Sequence, residues 1–196
     1  MRKTVILISV VASISVRASD RTVTVCLAPQ EVNFRTQVLA EGYASRIYHS
    51  IGINLRWKHS CTNAELNNPG TAFTANSIII GIEWAANAPL TVPIRALAAA
   101  RPFQPTGNRI TLYLDRLKGL LENGLAAAVL GHVLAHEIGH VLLGHNGHSN
   151  EGLMKATWSQ AEMTAMPHRL MKFTAYQAEE LNATLDHSRV TLALAR

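Results

Sequence analysis

Between Leu125 and Leu143 the chain runs through Ala, Leu, Val, Gly, Ile and His without a proline, and its one charged residue there is Glu137. That run is too long for a strand and rich in strong helix formers, so it can only be a helix. Asn123 and Gly124 offer a start and Gly144 a natural residue just past the end, which places the helix over Leu125 to Leu143. Within it lies His136-Glu137-Ile138-Gly139-His140, an HExxH spacing. Helix positions i and i+4 share a face one turn apart, so His136 and His140 can offer two imidazole nitrogens to one metal ion. Glu137 is turned about 100° around the axis from His136, too far aside for a third ligand but well placed to take a proton from a water. A chain with this many histidines would show HExxH by chance about twice in a hundred, and its fall inside a helix makes chance rarer still. The expectation is zinc at His136 and His140, with Glu137 as general base.

Zinc in hydrolases usually has three protein ligands and an open position, so a third donor is required. His132 lies one turn before His136, but about 12 Å along the axis from His140, and three histidines on one straight helix do not close around one ion. Beyond the helix stand His145 and His148. From His136 to Met154 the sequence resembles the metzincin metalloproteases of matrixin or archaemetzincin type, whose signature is HExxHxxGxxH followed by a Met-containing turn. The resemblance implies an α+β fold of zincin type, a mixed β-sheet with a long N-terminal helix, an active-site helix and a C-terminal helix. It also implies a zinc peptidase with a third His beyond the Gly and a Met beneath the metal. This chain departs from the signature: Gly144 comes one residue late and His148 two residues late.

The Asn146-Gly147 pair is a turn signal that could bring His148 back under the metal, whereas His145 leaves the helix end with less room to fold back. His148 is the expected third ligand and His145 the second candidate. Met154, in Ser149-Asn150-Glu151-Gly152-Leu153-Met154, is the residue matched to the Met-turn, as an apolar floor rather than a ligand. The Tyr that assists the transition state in some metzincins has no counterpart in Lys155-Ala156-Thr157-Trp158. Glu162 has the separation at which other HExxH enzymes take a Glu as third ligand, which leaves a gluzincin-type alternative. A second alternative keeps the metal and drops catalysis: a secreted zinc-binding structural or interaction domain, with His145 and His148 both closing the site. The retained Glu137 argues against it, since a four-ligand structural site has no use for a base.

The N-terminus reads as an export signal: Met1-Arg2-Lys3-Thr4 is basic, Val5 to Val16 is apolar, and Val16-Arg17-Ala18 resembles a cleavage site. Residues 1–18 are therefore expected to be a signal peptide and 19–196 one metallopeptidase domain, secreted or periplasmic. Removing Arg2, Lys3 and Arg17, and no acid, takes the formal net charge from +5 to +2. No basic stripe or aromatic platform remains for nucleic acid. In an oxidising compartment Cys26 and Cys61 are expected to pair, tying the ends of two strands.

Alternation marks strands at Thr22 to Leu27, Ile53 to His59, Ser77 to Trp84 and Arg109 to Leu114. Val32 to Ser50 carries helix-spaced Phe34, Val38, Tyr43 and Ile47 before Gly52, and Thr174 to Gln177 reads as a capping box opening a helix to about Asp186. Ala85 to Asn108, rich in Pro and Ala, reads as a long loop. About 178 residues suffice for one buried core, and no repeat or linker breaks them. The expected partner is a peptide added to the free edge of the strand near Ile110 to Leu114, bringing Tyr113 or Asp115 near the cleft. No nucleic acid, no membrane anchor and a monomer complete the reading.

Overall fold

The computed structural model describes residues 21–28, 33–62, 65–66, 73–74, 77–104, 107–121 and 124–194. The signal peptide expected over residues 1–18 lies outside them. The order is β1 (Arg21–Leu27), α1 (Phe34–His49), β2 (Ile53–Lys58), β3 (Phe73–Thr74), β4 (Ser77–Ala85), β5 (Ala98–Gln104), β6 (Gly107–Tyr113), α2 (Leu114–Leu121), α3 (Ala126–Leu143), α4 (Gln160–Ala165) and α5 (Ala175–Leu194). The sheet runs β2-β1-β4-β6-β5, with β3 paired to the start of β4. β1, β2, β4 and β6 are parallel, and β5 is antiparallel to β6. This is the expected α+β class: a mixed sheet with helices packed on it, including the long N-terminal, central and C-terminal helices.

β1 lies between β2 and β4, and Val23 and Val25 are fully buried while even Thr24 is nearly so. α1 forms where expected, capped by the Asn33 side chain, which accepts from Arg35 N–H at 2.8 Å. Its buried face is the predicted one only in part: Ile47 is buried and Tyr43 packs against the core. Phe34 and Val38 are exposed, and Ala40, Ala44, Ile47 and Tyr48 face the core. The reason is close helix packing: a Cβ built on Gly131 of α3 would fall 2.6 Å from Ala40 O and 2.4 Å from Tyr43 Cβ. Small residues at the crossing win over larger ones beside it. Tyr48 Oη then donates to Ala135 O at 3.0 Å, locking the two helices inside the core.

α3 is buried nearly all round, which is why its sequence shows no polar face. By length and composition it could cross a membrane, but 89% of it is buried within the protein, the signature of a core helix. The capping box of α5 is present as read, with Thr174 N–H donating to Gln177 Oε1 and Gln177 N–H to Thr174 Oγ1. α5 extends to Leu194, buries Leu181 and Leu185, and ties back to β1 through the Arg21–Asp186 ion pair at 2.7 Å.

The Pro- and Ala-rich stretch is not all loop. β5 occupies its second half, so β6 is flanked on both sides and cannot be the free edge; among the described residues β5 is. Ala has little strand preference and Pro102 argues against a strand, so only pairing with β6 reveals it. The expected peptide edge near Ile110 to Leu114 falls, though burial raises the Tyr113 hydroxyl and so does Glu137, which lies within electrostatic reach of it. Tyr113 is buried beside Arg116, and Asp115 accepts from Ala88 N–H at 3.2 Å, pinning the β4–β5 connection.

Cys26 and Cys61 form the expected disulfide. It joins β1 to the chain leaving its neighbour β2 and closes a loop of 35 residues. Chain entropy assigns such a crosslink about 3–4 kcal/mol. Replacing both cysteines with Ser should lower the urea midpoint accordingly; a midpoint that does not move would show that the bond adds nothing to the fold.

Candidate metal centre

α3 presents His136, Glu137 and His140 at its buried C-terminal half, and Gly144, with φ 74°, ends it in the left-handed conformation. The chain then reverses. His145 O accepts a hydrogen bond from His140 Nδ1–H at 3.0 Å, and the His145 ring accepts from Gly147 N–H at 2.9 Å. That tight turn carries His148 back to the helix. His136, His140 and His148 each offer a ring nitrogen, all within 4.8 Å of one another. The His148 ring stacks on His136 at 5.4 Å and meets His140 edge-on at 4.9 Å.

The tautomers follow from the partners. Nδ1 of His136 faces Leu153 O at 2.9 Å and Nδ1 of His140 faces His145 O, and a carbonyl can only accept, so both Nδ1 atoms carry the hydrogen. Both Nε2 atoms are then bare lone pairs, and they stand 2.9 Å apart. Burial pushes His136 down to about 4, and burial together with His136 pushes His140 down to about 3, so neither ring protonates to relieve the contact. Burial lowers His148 as well. Two facing lone pairs without a proton between them call for a shared cation. Bonds of about 2.0–2.1 Å to one tetrahedral ion would set such nitrogens about 3.3 Å apart, and the carbonyl bonds at Nδ1 are the outer-shell support metal-bound histidines usually have. The donor set therefore fits a metal ion.

Glu137 is buried beside the ligands, and burial raises its carboxyl to about 8 even though the Ala100 N–H of β5 donates to it. α3 and the sheet edge thus meet at this carboxylate. Met154 packs against the same helix at Gly139. A Cβ on Gly139 would sit 2.8 Å from Met154 Sδ and 3.2 Å from Phe173 Cε1, so the glycine is what lets the thioether reach the helix. Ser149 N–H donates to Met154 O and Leu153 N–H to Lys172 O, both at 2.8 Å, closing the turn that also supplies the carbonyl for His136.

The other candidates are placed elsewhere. His132 is fully buried, with Nδ1–H on Ala128 O and Nε2 accepting from Met171 N–H. The His145 ring is spent on its own turn, and only its carbonyl serves the site. Glu162 caps α4, accepting from Ser159 N–H at 2.8 Å and pairing with Lys155 Nζ at 2.6 Å, interactions that hold its carboxyl down at about 2. Two participants carried no sequence signal of their own. Ala100 belongs to a strand hidden by its composition, and Trp158 packs edge-on against His136 at 5.6 Å from beyond the Met154 turn.

No family model and no curated protein sequence matches this chain. Among solved structures, it is similar to archaemetzincin from Methanopyrus kandleri, with a TM-score of 0.51 and 14% identity over 87% of this chain and 98% of that one. At that identity the likeness concerns the fold. The chain thus has an archaemetzincin-like α+β fold, with three histidines gathered around the end of its central helix.

Proposed function

We propose that the chain is a secreted or periplasmic zinc-dependent endopeptidase, a metzincin-like enzyme with a longer reach to its third His, formed by residues 19–196 after loss of a signal peptide at 1–18. The observation that carries this reading is the pair of bare Nε2 atoms of His136 and His140, 2.9 Å apart, with His148 beside them and Glu137 next in sequence. Zinc would be held by these three imidazoles. When bound, it supplies Lewis acidity, which makes a water acidic enough to attack at neutral pH and draws electron density from the scissile carbonyl.

The chain's own groups do the rest. Glu137, whose carboxyl burial alone raises to about 8 and which a bound cation would lower again, takes the proton from water as its oxygen bonds to the carbonyl carbon. It then hands that proton to the leaving nitrogen as the C–N bond breaks. Trp158 packs edge-on against His136, and Met154 against the helix at Gly139 between the two ligand histidines. The substrate peptide lies along the free edge of β5, the strand that already touches Glu137 through Ala100. The disulfide suits an oxidising compartment. A monomer free of nucleic acid and membrane anchor fits this role.

A chelator should abolish digestion of an unstructured protein, and stoichiometric zinc should restore it. Digestion that continues in the metal-free protein would end the proposal.

A further inference from the structure

The turn that carries His148 back to the helix contains Asn146-Gly147, and both residues are exposed. Glycine has no Cβ to shield its own backbone nitrogen, and that nitrogen closes a five-membered ring if it bonds to the Cγ of the asparagine before it. The step is slow until the N–H gives up its hydrogen, so a base aimed at that hydrogen speeds it. Here one is aimed: Gly147 N–H donates to His145 Nδ1 at 2.9 Å, and a ring nitrogen that accepts carries a lone pair. A Cβ built on Gly147 would fall 2.8 Å from that Nδ1 and 3.0 Å from Cε1 of the same ring, so the imidazole lies this close only because the residue is glycine. His140 Nδ1–H holds the His145 carbonyl at 3.0 Å, which keeps the base in place. The Asn146 side chain makes no hydrogen bond among the described residues, so none of them holds its amide away from the backbone.

We propose that Asn146 is a self-modification site: with the His145 ring as base and water as the only co-reactant, it converts to aspartate and isoaspartate, and the isoaspartate form loosens the third metal ligand. The Gly147 nitrogen bonds to Asn146 Cγ as its proton passes to His145 Nδ1 and on to the leaving Nδ2. The Cγ–Nδ2 bond breaks and ammonia departs, which leaves a cyclic imide. Water then opens the ring: its oxygen bonds at Cγ to give aspartate, or at the main-chain carbonyl carbon to give isoaspartate, and the ring nitrogen regains a hydrogen. Nothing is oxidised or reduced. In isoaspartate the main chain runs through Cβ and Cγ and is one carbon longer, or about 1.5 Å. Metal–ligand distances tolerate about 0.2 Å. The extra carbon falls between the helix end at Gly144 and His148, in the turn that gathers the three ring nitrogens within 4.8 Å of one another. The loss of affinity rests on the reading of His148 as a zinc ligand; the rearrangement does not.

The test follows residue 146 by peptide mapping that resolves asparagine, aspartate and isoaspartate, in the zinc-loaded folded chain and in the chain unfolded in urea, both at neutral pH. Asn123-Gly124, the same dipeptide elsewhere in the chain, reports in urea the rate that the dipeptide alone dictates. Asn146 should convert severalfold faster in the folded protein than in urea, and His145→Ala should remove that excess. The separated form with isoaspartate at position 146 should hold zinc about 10–100-fold more weakly in chelator competition, the cost of disturbing a ligand's support. Asn146→Gln, which would have to close a six-membered ring, should keep its affinity through the same incubation. Conversion no faster in the folded chain than in urea, or as fast in His145→Ala as in the parent, would overturn the proposal, and so would an isoaspartate form that binds zinc like the fresh parent. A fresh parent that binds no zinc would instead remove the metal reading, and the loosening with it, while the conversion of Asn146 would stand or fall on its own rates.

Discussion

Glu137→Gln should slow peptide hydrolysis by about 10²–10⁴-fold, the range general-base catalysis contributes, with bound zinc unchanged. Gln has the shape of Glu and keeps an oxygen to accept the Ala100 N–H, so the side chain stays lodged between α3 and β5. It cannot take a proton from water. The three imidazoles are untouched, and their outer partners, Leu153 O and His145 O, are backbone groups the substitution does not reach. Loss of activity with retained metal therefore isolates the proton transfer from the metal. A Gln variant that digests protein at the parent's rate would show that Glu137 is not the base and return the site to the structural-domain alternative.

His148→Ala should weaken zinc binding by more than about a hundredfold, because losing a ligand must cost at least what losing an outer-shell partner does. His148 is the one donor that does not come from α3, and it reaches the site only because the Gly144 turn reverses the chain. The control is His145→Ala. His145 serves through its carbonyl, which alanine keeps, so that variant should bind zinc almost as the parent does. Competition against a chromogenic chelator measures both. Parent-like affinity in His148→Ala, or a large loss in His145→Ala, would reassign the third ligand.

How far these residues could be read from sequence depended on whether their positions are set locally. His136, Glu137 and His140 were legible because helix periodicity alone places them, and Gly144 because a helix end favours a left-handed residue. The third ligand was left between two histidines because its place depends on a turn held by two bonds of His145, one from its ring and one through its carbonyl. The buried face of α1 was read only in part for a related reason: Ile47 and Tyr43 do pack on the core. Phe34 and Val38 have the right spacing, yet the crossing with α3 favours the small side of the helix, a preference belonging to the partner. β5 was invisible because three alanines and a proline describe no strand until β6 pairs with them, and α2 was hidden because Leu114 continues the apolar pattern of β6 straight into its first turn. Met154 was singled out by resemblance, but its packing against the helix at Gly139 was not.

The burial of α3 has a further consequence, for the chain before it folds. Its eighteen residues are as apolar as a bilayer-spanning segment, and among the described residues they would be, in an unfolded chain, the stretch most prone to lodge in lipid or to self-associate. His132, His136, Glu137 and His140 are the polar interruptions in that stretch. Ionisable groups near the middle of a would-be span oppose its partition into the bilayer. The side chains that give the folded helix its chemistry thus also help the nascent one stay in water long enough to find α1 and the sheet.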